Sequence, residues 1–243
     1  MSRIFLTGDT HGEFGRLGYV GFPVSRELTK DDYLIILGDF GAIWDIQQSG
    51  KEQRVLNRLN EMPYTVLFID GNHENHDRLQ SDEFPEVDMF DSKVKKISDS
   101  VFYLQRGHVY KINNETFFVM GGAYSVDKTS RRAHWSWWPQ EEPSCADIQR
   151  GLDSLLAYDN KVDYILSHTA SNEVIQEFLD ENGGIAGRKL IKDSASDFLT
   201  EVESVVDYKC NFFGHMHPNL TPWFSKDEKH VCLFKQIIEL DQF

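Results

Sequence analysis

The chain has little of what marks a secreted or membrane-bound protein. Its three cysteines, Cys145, Cys210 and Cys232, are odd in number, widely spaced and form no Cys-x-x-Cys pair, which excludes a disulfide framework or a zinc knuckle. No apolar run is long enough to cross a bilayer, and the residues before the first apolar run are too few for a signal peptide. We therefore expect buried thiols, a cytoplasmic location and no membrane partner.

Positive charge is also scarce. The 243 residues include 25 Lys and Arg against 39 Asp and Glu, for a net charge of −14. Binding to phosphate backbones usually needs a basic surface, so strong general binding of nucleic acid is not expected. Clustered carboxylates can instead hold divalent cations, and such a site then attracts anions. The length is compatible with a single domain over residues 1–243.

One pattern recurs along the chain, in which a short apolar run is followed by a cluster of Gly, Asp, Asn or His. The runs lie at residues 4–6, 33–37, 66–69, 117–120, 164–166 and 212–213. Apolar runs of this length bounded by Gly predict buried strands. Ligands of open α/β sheets bind beyond the carboxyl ends of strands, so the polar residues after these runs are candidate ligands.

Helical spacing separates the predicted strands. The predicted helices cover residues 55–62, 148–156 and 198–206, the first ended by Pro63 and the third capped by Asp193 or Ser194. Two segments predict antiparallel hairpins, 101–119 turning at Asn113–Asn114 and 223–238 turning near 226–228. The alternation predicts an α/β fold with mixed sheets.

The polar residues after the strands have the chemistry of metal ligands. Asp9 and His11 are two residues apart, so extended backbone projects both to one side. Asp39 has two carboxylate oxygens and could bridge two ions, while Asn72 offers a neutral oxygen. The remaining candidates are His168, His215 and His217. A single Asp-x-His pair is weak evidence, and the ordered set of five elements is what predicts a metal site.

These motifs, in this order, resemble those of the calcineurin-like metallophosphoesterase superfamily. The matching residues are Asp9, His11, Asp39, Asn72, His73, Glu74, His168, His215 and His217. The resemblance implies two packed mixed β-sheets flanked by helices, an α/β/β/α sandwich that agrees with the α/β prediction. It implies one metal held by Asp9, His11, Asp39 and His217. It implies a second metal held by Asp39, Asn72, His168 and His215.

The resemblance also implies a catalytic role for Asp39 and His73. Two cations about 3.5–4 Å apart lower the pKa of a shared water, and a metal-bridging hydroxide then attacks phosphorus. Asp39 would bridge the ions, and His73 would protonate the leaving group, a role worth about 10²–10⁴-fold in rate. Oxygen and nitrogen ligands without thiolates suit Mn, Fe or Zn.

The segment 124–143 is rich in tryptophan and arginine. Arg131 and Arg132 could bind a substrate phosphate, and a tryptophan could stack on a base. The alternative is that the tryptophans anchor the loop to the core while the arginines pair with Glu141 or Glu142. Both interpretations are open at this point.

Two departures from subfamily patterns narrow the substrate class. Phe40 follows Asp39, so the Asp-Arg-Gly continuation of the Ser/Thr protein phosphatases is missing, and Ala42 replaces the second Asp common in cyclic-nucleotide diesterases and nucleases. We expect a hydrolase of small, nucleotide-like phosphate esters, with monoesters and diesters both open. The alternatives are a nuclease or protein phosphatase acting on a macromolecule, and a non-catalytic interaction module.

Overall fold

The computed structural model describes residues 2–182, 191–218 and 221–243, and within these ranges the strands form two mixed sheets. Strands and helices are numbered here in chain order. The seven-stranded sheet runs, from edge to edge, β13 (Ile237–Glu239), β1 (Ile4–Thr7), β2 (Tyr33–Leu37), β3 (Thr65–Ile69), β6 (Val101–Leu104), β5 (Ser92–Ser98) and β4 (Glu86–Met89). Its β1, β2, β3 and β6 are mutually parallel, and the other strands are antiparallel to their neighbours.

The second sheet has six strands. Its order is β11 (Trp223–Phe224), β12 (His230–Cys232), β10 (Cys210–Phe213), β9 (Tyr164–Ser167), β8 (Glu115–Met120) and β7 (Val109–Ile112). The four strands β12, β10, β9 and β8 are parallel, and an antiparallel strand closes each edge. All the parallel strands of a sheet therefore end at the same side.

Helices cover the outer faces of both sheets. They are α1 (Gly50–Asn60), α2 (His76–Gln80), α3 (Cys145–Ala157), α4 (Asn172–Glu181) and α5 (Ser194–Val205). Ser49 caps α1 by accepting a hydrogen bond from the Glu52 N–H, and Asp193 caps α5 in the same way through the Ser196 N–H. The predicted capping residue Asp193 is therefore confirmed.

The central strands are apolar throughout because both of their faces are buried. In β2, Ile35 and Leu37 point into the layer between the two sheets, whereas Leu34 and Ile36 point outward to the cluster that includes residues of α1. The second sheet contributes aromatic side chains such as Phe117 to the layer between the sheets. Two mixed sheets flanked by helices confirm the expected α/β sandwich.

All six predicted strands are present, but one predicted hairpin was wrong in extent. Residues 101–104 form β6, which pairs in parallel with β3 in the first sheet. The hairpin itself consists of β7 and β8, and Asn113 in its turn has a φ of 57°. The hairpin of β11 and β12 is confirmed, whereas β13 pairs with β1 in the other sheet.

Two further expectations were wrong in detail: that Leu152 and Leu156 lie on the apolar face of the second predicted helix, and that all three cysteines are buried. Leu152 and Leu156 of α3 are 42% and 68% exposed, so they do not belong to its buried face. Cys145 is exposed at the start of α3, whereas Cys210 and Cys232 are buried as expected. The β4–β5 hairpin and α4 were not predicted. In the described part of the chain, no helix has the length and apolar character needed to cross a membrane.

Candidate metal centre

The candidate ligands meet where the parallel strands of both sheets end. Asp9 follows β1, Asp39 follows β2 and Asn72 follows β3, while His168 and His215 follow β9 and β10 of the second sheet. The two sheets are joined here, because the His168 Nδ1 lies 2.8 Å from the carbonyl oxygen of Leu37 at the end of β2. The fold therefore brings together residues that are far apart in sequence.

One group of donor atoms consists of Asp9, His11 and His217. Their ligand atoms all lie within 4.8 Å of one another. The Nε2 of His217 is 2.6 Å from Asp9 Oδ2 and 3.2 Å from the Nε2 of His11. Two imidazole nitrogens and a carboxylate oxygen thus converge on a small volume.

A second group shares Asp9 and adds Asp39 and His168, again within 4.8 Å. The Nε2 of His168 lies 3.4 Å from Asp39 Oδ1 and 3.0 Å from the side-chain oxygen of Asn72. The other carboxylate oxygen of Asp39 lies 3.6 Å from the Nδ1 of His11. Asp39 therefore stands between the two groups, with one oxygen toward each.

The histidine and asparagine side chains present acceptors to this centre. The His168 Nδ1 donates to the Leu37 carbonyl, so in a neutral ring the Nε2 holds a lone pair and faces oxygens of Asn72 and Asp39. Asn72 donates its amide to the Ser125 hydroxyl at 2.9 Å, which turns its oxygen inward. Convergent acceptors need a proton or a metal cation between them, and a carbonyl bonded to the far nitrogen is a common support for ligating histidine.

The charge balance also favours a cation. Asp9 and Asp39 are only 2% and 1% exposed, and in the described ranges neither carboxylate forms an ion pair with Lys or Arg. Burial acts to raise the pKa of Asp9, but His168 and the hydrogen bond to His217 outweigh it, so the pKa is lowered. Burial likewise acts to lower the pKa of His168, yet Asp39 and Asp9 raise it.

His215 lies beside His168 on the side of the second sheet and belongs to neither donor group. Its ring centroid is 5.0 Å from that of His168, and its backbone N–H donates to Asp9 Oδ1 at 3.0 Å. Burial, followed by the nearby His168, lowers the pKa of His215 to about 3. The ring is therefore neutral at ordinary pH and free to act as a ligand. The donor set as a whole fits a divalent transition metal.

Unusual backbone conformations occur at four of the candidate ligands. His11, Asp39, His215 and His217 have φ values of 47°, 44°, 59° and 50°, in the left-handed region. Each such residue costs on the order of 1–3 kcal/mol and persists only where the surroundings impose it. Close approach adds to this constraint, since a Cβ at Gly71 would lie 2.1 Å from Asp39 Oδ1. The chain is thus strained locally to aim these side chains at one another.

Glu74, the last residue of the Gly-Asn-His-Glu motif, fixes the loop after β2. Its buried carboxylate accepts the backbone N–H groups of Phe40 and Gly41. Burial first, and then the nearby Asp39, raise the pKa of Glu74 well above its ordinary value. This motif therefore supplies Asn72 to the centre and at the same time holds Asp39 in place.

His73 stands beside the centre and belongs to neither donor group. Its backbone N–H donates to Asp39 Oδ1 at 2.7 Å, and its ring lies 5.6 Å from that of His11. Burial lowers the pKa of His73 although Asp39 acts to raise it. The lowered pKa favours the neutral form of the His73 ring. For His73 to protonate a leaving group, the site has to stabilise the protonated ring against this lowering of the pKa.

The two arginines proposed for substrate phosphate differ in position. Arg131 borders a cavity together with His11 and His73, but its guanidinium is bonded to both carboxylate oxygens of Asp127. Arg132 is exposed and lies 5.3 Å from the ring centroid of Trp135. The expected pairing of these arginines with Glu141 or Glu142 was wrong, because Asp127 is the partner of Arg131.

The tryptophan anchor of this loop is confirmed for Trp138. Its ring is fully buried, and its Nε1 donates to Asp77 of α2 at 3.0 Å. His134 and Gln140 also contact the Asp77 carboxylate, each at 2.8 Å. By contrast, Trp135 is 55% exposed. Asp77 was not singled out in the sequence, because an exposed Asp in a helix has no distinguishing pattern.

A buried ion pair that sequence reasoning missed supports the loop after β3. The Asp70 carboxylate accepts two hydrogen bonds from the Arg106 guanidinium and one from the Tyr103 hydroxyl. Asp70 directly precedes Gly71 and Asn72, so the pair holds the backbone that delivers Asn72. The one sign of this ion pair in the sequence was the charged residue Asp70 at the end of an apolar run.

Comparison with known families agrees with this geometry. The family model described as Calcineurin-like phosphoesterase matches residues 2–219 of the 243. The search of curated proteins found no match. The matched range contains every candidate ligand named above.

Proposed function

The chain belongs to the calcineurin-like phosphoesterase family, and from this membership we propose that it hydrolyses small, nucleotide-like phosphate esters with the help of two divalent cations. The observation that carries the proposal is the pair of donor groups that share Asp9. Buried carboxylates that face imidazoles and have no Lys or Arg partner in the described ranges favour cation binding over a purely structural role.

In this proposal each donor group holds one cation. The first set of ligands is Asp9, His11, Asp39 and His217. The second set is Asp39, Asn72, His168 and His215. When bound, the two cations would supply Lewis acidity, lowering the pKa of water and stabilising charge on the phosphoryl oxygens. Mn, Fe and Zn all suit this mixture of oxygen and nitrogen ligands.

The protein itself contributes positioning and proton transfer. Glu74 and the His73 backbone N–H hold Asp39, so the shared carboxylate is fixed before substrate arrives. The His73 ring is the candidate group for protonating the leaving alkoxide. It lies beside His11 but outside both donor groups, so it remains available to substrate.

The test compares a monoester with a diester. Metal-stripped protein is resupplied with Mn²⁺ and assayed with p-nitrophenyl phosphate and bis(p-nitrophenyl) phosphate side by side. We expect hydrolysis that depends on the added metal, and the preferred substrate assigns a phosphatase or a phosphodiesterase. Absence of turnover on both substrates while metal is bound would contradict the proposed activity on small esters.

A further inference from the structure

A second cavity opens beside the centre, on the far side of His11 and His73. It has a volume of about 370 Å³ and is distinct from the cavity of about 470 Å³ lined by Asp39 and the ligands after β10. His11 and His73 line both cavities. The two spaces therefore adjoin at the residue that is placed to protonate a leaving group.

Trp44 forms an aromatic wall of this second cavity. Its ring centroid lies 6.3 Å from that of His73 and 5.3 Å from that of Trp138. Trp138 is itself fully buried and bonded to Asp77, so Trp44 packs against a fixed neighbour. Trp44 is half-buried, and the part of its side chain that is not packed faces the cavity.

Buried polar residues hold the backbone that carries Trp44. The Asn75 side chain donates to the carbonyl oxygens of Trp44 and Asp45 at 3.2 and 2.9 Å. Arg78 donates to the Asp45 carbonyl at 3.1 Å and pairs with the buried Glu52 of α1. The wall is thus formed before any ligand binds, which lowers the entropic cost of binding.

The floor of the cavity is backbone. Gly12 and Gly41 both line it, and a Cβ at Gly41 would lie 2.6 Å from the Gly12 nitrogen. A side chain at Gly41 would force the two loops apart, so glycine at this position lets the loops pack closely and form this part of the cavity.

The cavity also holds a cation without a partner. Lys51, at the start of α1, lines it and makes no hydrogen bond or ion pair within the described ranges. Arg131 lines it too, but its charge is matched by Asp127. Asp45 and Glu52 line the cavity as well; Glu52 is paired with Arg78, whereas the Asp45 carboxylate, like Lys51, has no ion-pair partner among the described residues. Lys51 is therefore the cation in this lining that can attract an anionic ligand.

We propose that this cavity receives the leaving group of the ester, with a flat aromatic ring stacked on Trp44 and Lys51 attracting the anionic substrate. The inference rests on the proposed function and names its substrate class as phosphate esters whose leaving group carries an aromatic or heteroaromatic ring. The leaving group has to depart on the side of the residue that protonates it, and Trp44 lies on that side of His73. A nucleoside and a simple phenol both supply the flat aromatic ring that this cavity requires.

The first experiment measures binding of the leaving group alone, so that it does not depend on turnover. Adenosine, phenol and ribose are titrated by calorimetry into the metal-loaded full chain. We expect adenosine to bind at least about tenfold more tightly than ribose. Trp44→Leu should weaken adenosine binding about five- to hundredfold, since a stacked base loses about that much when its aromatic partner is removed, whereas Trp44→Phe should retain most of it. The matched control is Trp135→Leu, which removes an exposed tryptophan outside the cavity.

The second experiment compares hydrolysis of adenosine 5′-monophosphate, phenyl phosphate and ribose 5-phosphate. Preference for the adenosine ester assigns a nucleoside to the cavity, and equal preference for the phenyl ester assigns any aromatic ring. Lys51→Met should lower kcat/KM several-fold for all three esters, in contrast to Lys111→Met on β7.

The outcomes separate this inference from the proposed function. Adenosine binding that depends on Trp44, without hydrolysis of any ester, would leave the cavity assignment standing and overturn the enzymatic proposal. Hydrolysis with equal binding of adenosine and ribose, unchanged in Trp44→Leu, would overturn the cavity assignment alone. Circular dichroism and thermal unfolding of each variant show whether it has folded; if Trp44→Leu has not, equal binding of adenosine and ribose by the wild type overturns the cavity assignment.

Discussion

Two sets of buried carboxylates in this molecule differ in their ion-pair partners. Asp70 and Glu52 are each paired with a buried guanidinium, Arg106 and Arg78. Asp9 and Asp39 are equally buried, yet in the described ranges their ion-pair partners are imidazoles alone. Burying a charge is costly unless it is compensated. The fold compensates Asp70 and Glu52 with arginine but does not do so for Asp9 and Asp39, which leaves room for a different cation beside these two carboxylates.

The backbone shows the same contrast. Asp39 and three of the histidines around it have left-handed φ values, whereas Asp70 and Glu52 do not. A structural ion pair forms on relaxed backbone, but the donor groups are assembled at a local conformational cost. Strain of this kind is concentrated at functional sites, where it holds groups in an arrangement they would not adopt alone.

The largest expected effect is that of Asp39→Asn. The substitution removes the charge of the carboxylate that both proposed ligand sets contain, and bound cations contribute several kcal/mol to catalysis. We expect Mn²⁺-dependent hydrolysis of p-nitrophenyl esters to fall by at least about 10³-fold. The matched control is Asp88→Asn, an exposed aspartate on β4. If Asp39→Asn hydrolysed the esters at close to the wild-type rate, Asp39 would not be a metal ligand, and the distinction between metal-binding and arginine-paired carboxylates would be wrong.

Next in size is the effect of His73→Gln. We expect the metal content, measured by mass spectrometry of the folded protein, to stay as in the wild type. The rate should fall by about 10²–10⁴-fold, the usual contribution of proton transfer by a positioned side chain. Loss of metal in this variant would instead identify His73 as a ligand.

Breaking the structural pair should affect stability rather than chemistry. Arg106→Met leaves Asp70 buried without its cation, and removal of one partner of such a pair costs about 3–5 kcal/mol of unfolding free energy. Urea unfolding of the metal-stripped protein measures this change. Arg131→Met, which breaks a partly exposed pair with Asp127, should cost less than about 1 kcal/mol. Equal losses in the two variants would contradict the structural role assigned to Arg106.

The smallest effect, counted for each bound ion, is stabilisation by metal. Adding Mn²⁺ at about 100 times its dissociation constant should raise the unfolding free energy of the wild type by about 2.7 kcal/mol for each site. Asp39→Asn should show little of this gain, while Arg131→Met, whose pair with Asp127 lies outside both proposed ligand sets, should show all of it. A gain of the same size in all three proteins would place the bound ion elsewhere.

The strands and the ligand set could be predicted because their information is local. Each apolar run followed by Gly and a polar residue predicts its own strand end, and the meeting of those ends follows from the general geometry of parallel sheets. The residues from Asp9 to His217 could therefore be named without coordinates. Their convergence is the part that the structure adds.

The features that could not be predicted from the sequence depend on contacts between residues that are far apart in the chain. Arg106 is 36 residues from Asp70, and a lone arginine after an apolar run has no pattern that identifies its partner. Residues 101–104 were predicted as part of a hairpin with residues up to 119, but as β6 they pair with β3 and β5 in the other sheet. The sequence did not identify Trp44 as a cavity wall, because its position depends on contacts with Trp138 and Asn75.

The most direct test of the account is a titration of the metal-stripped protein with Mn²⁺, followed by calorimetry. We predict two ions bound per wild-type chain, two per Asp88→Asn chain, and loss of both in Asp39→Asn because that carboxylate is shared. Two ions retained by Asp39→Asn would contradict the central claim that the unpaired carboxylates form the metal centre.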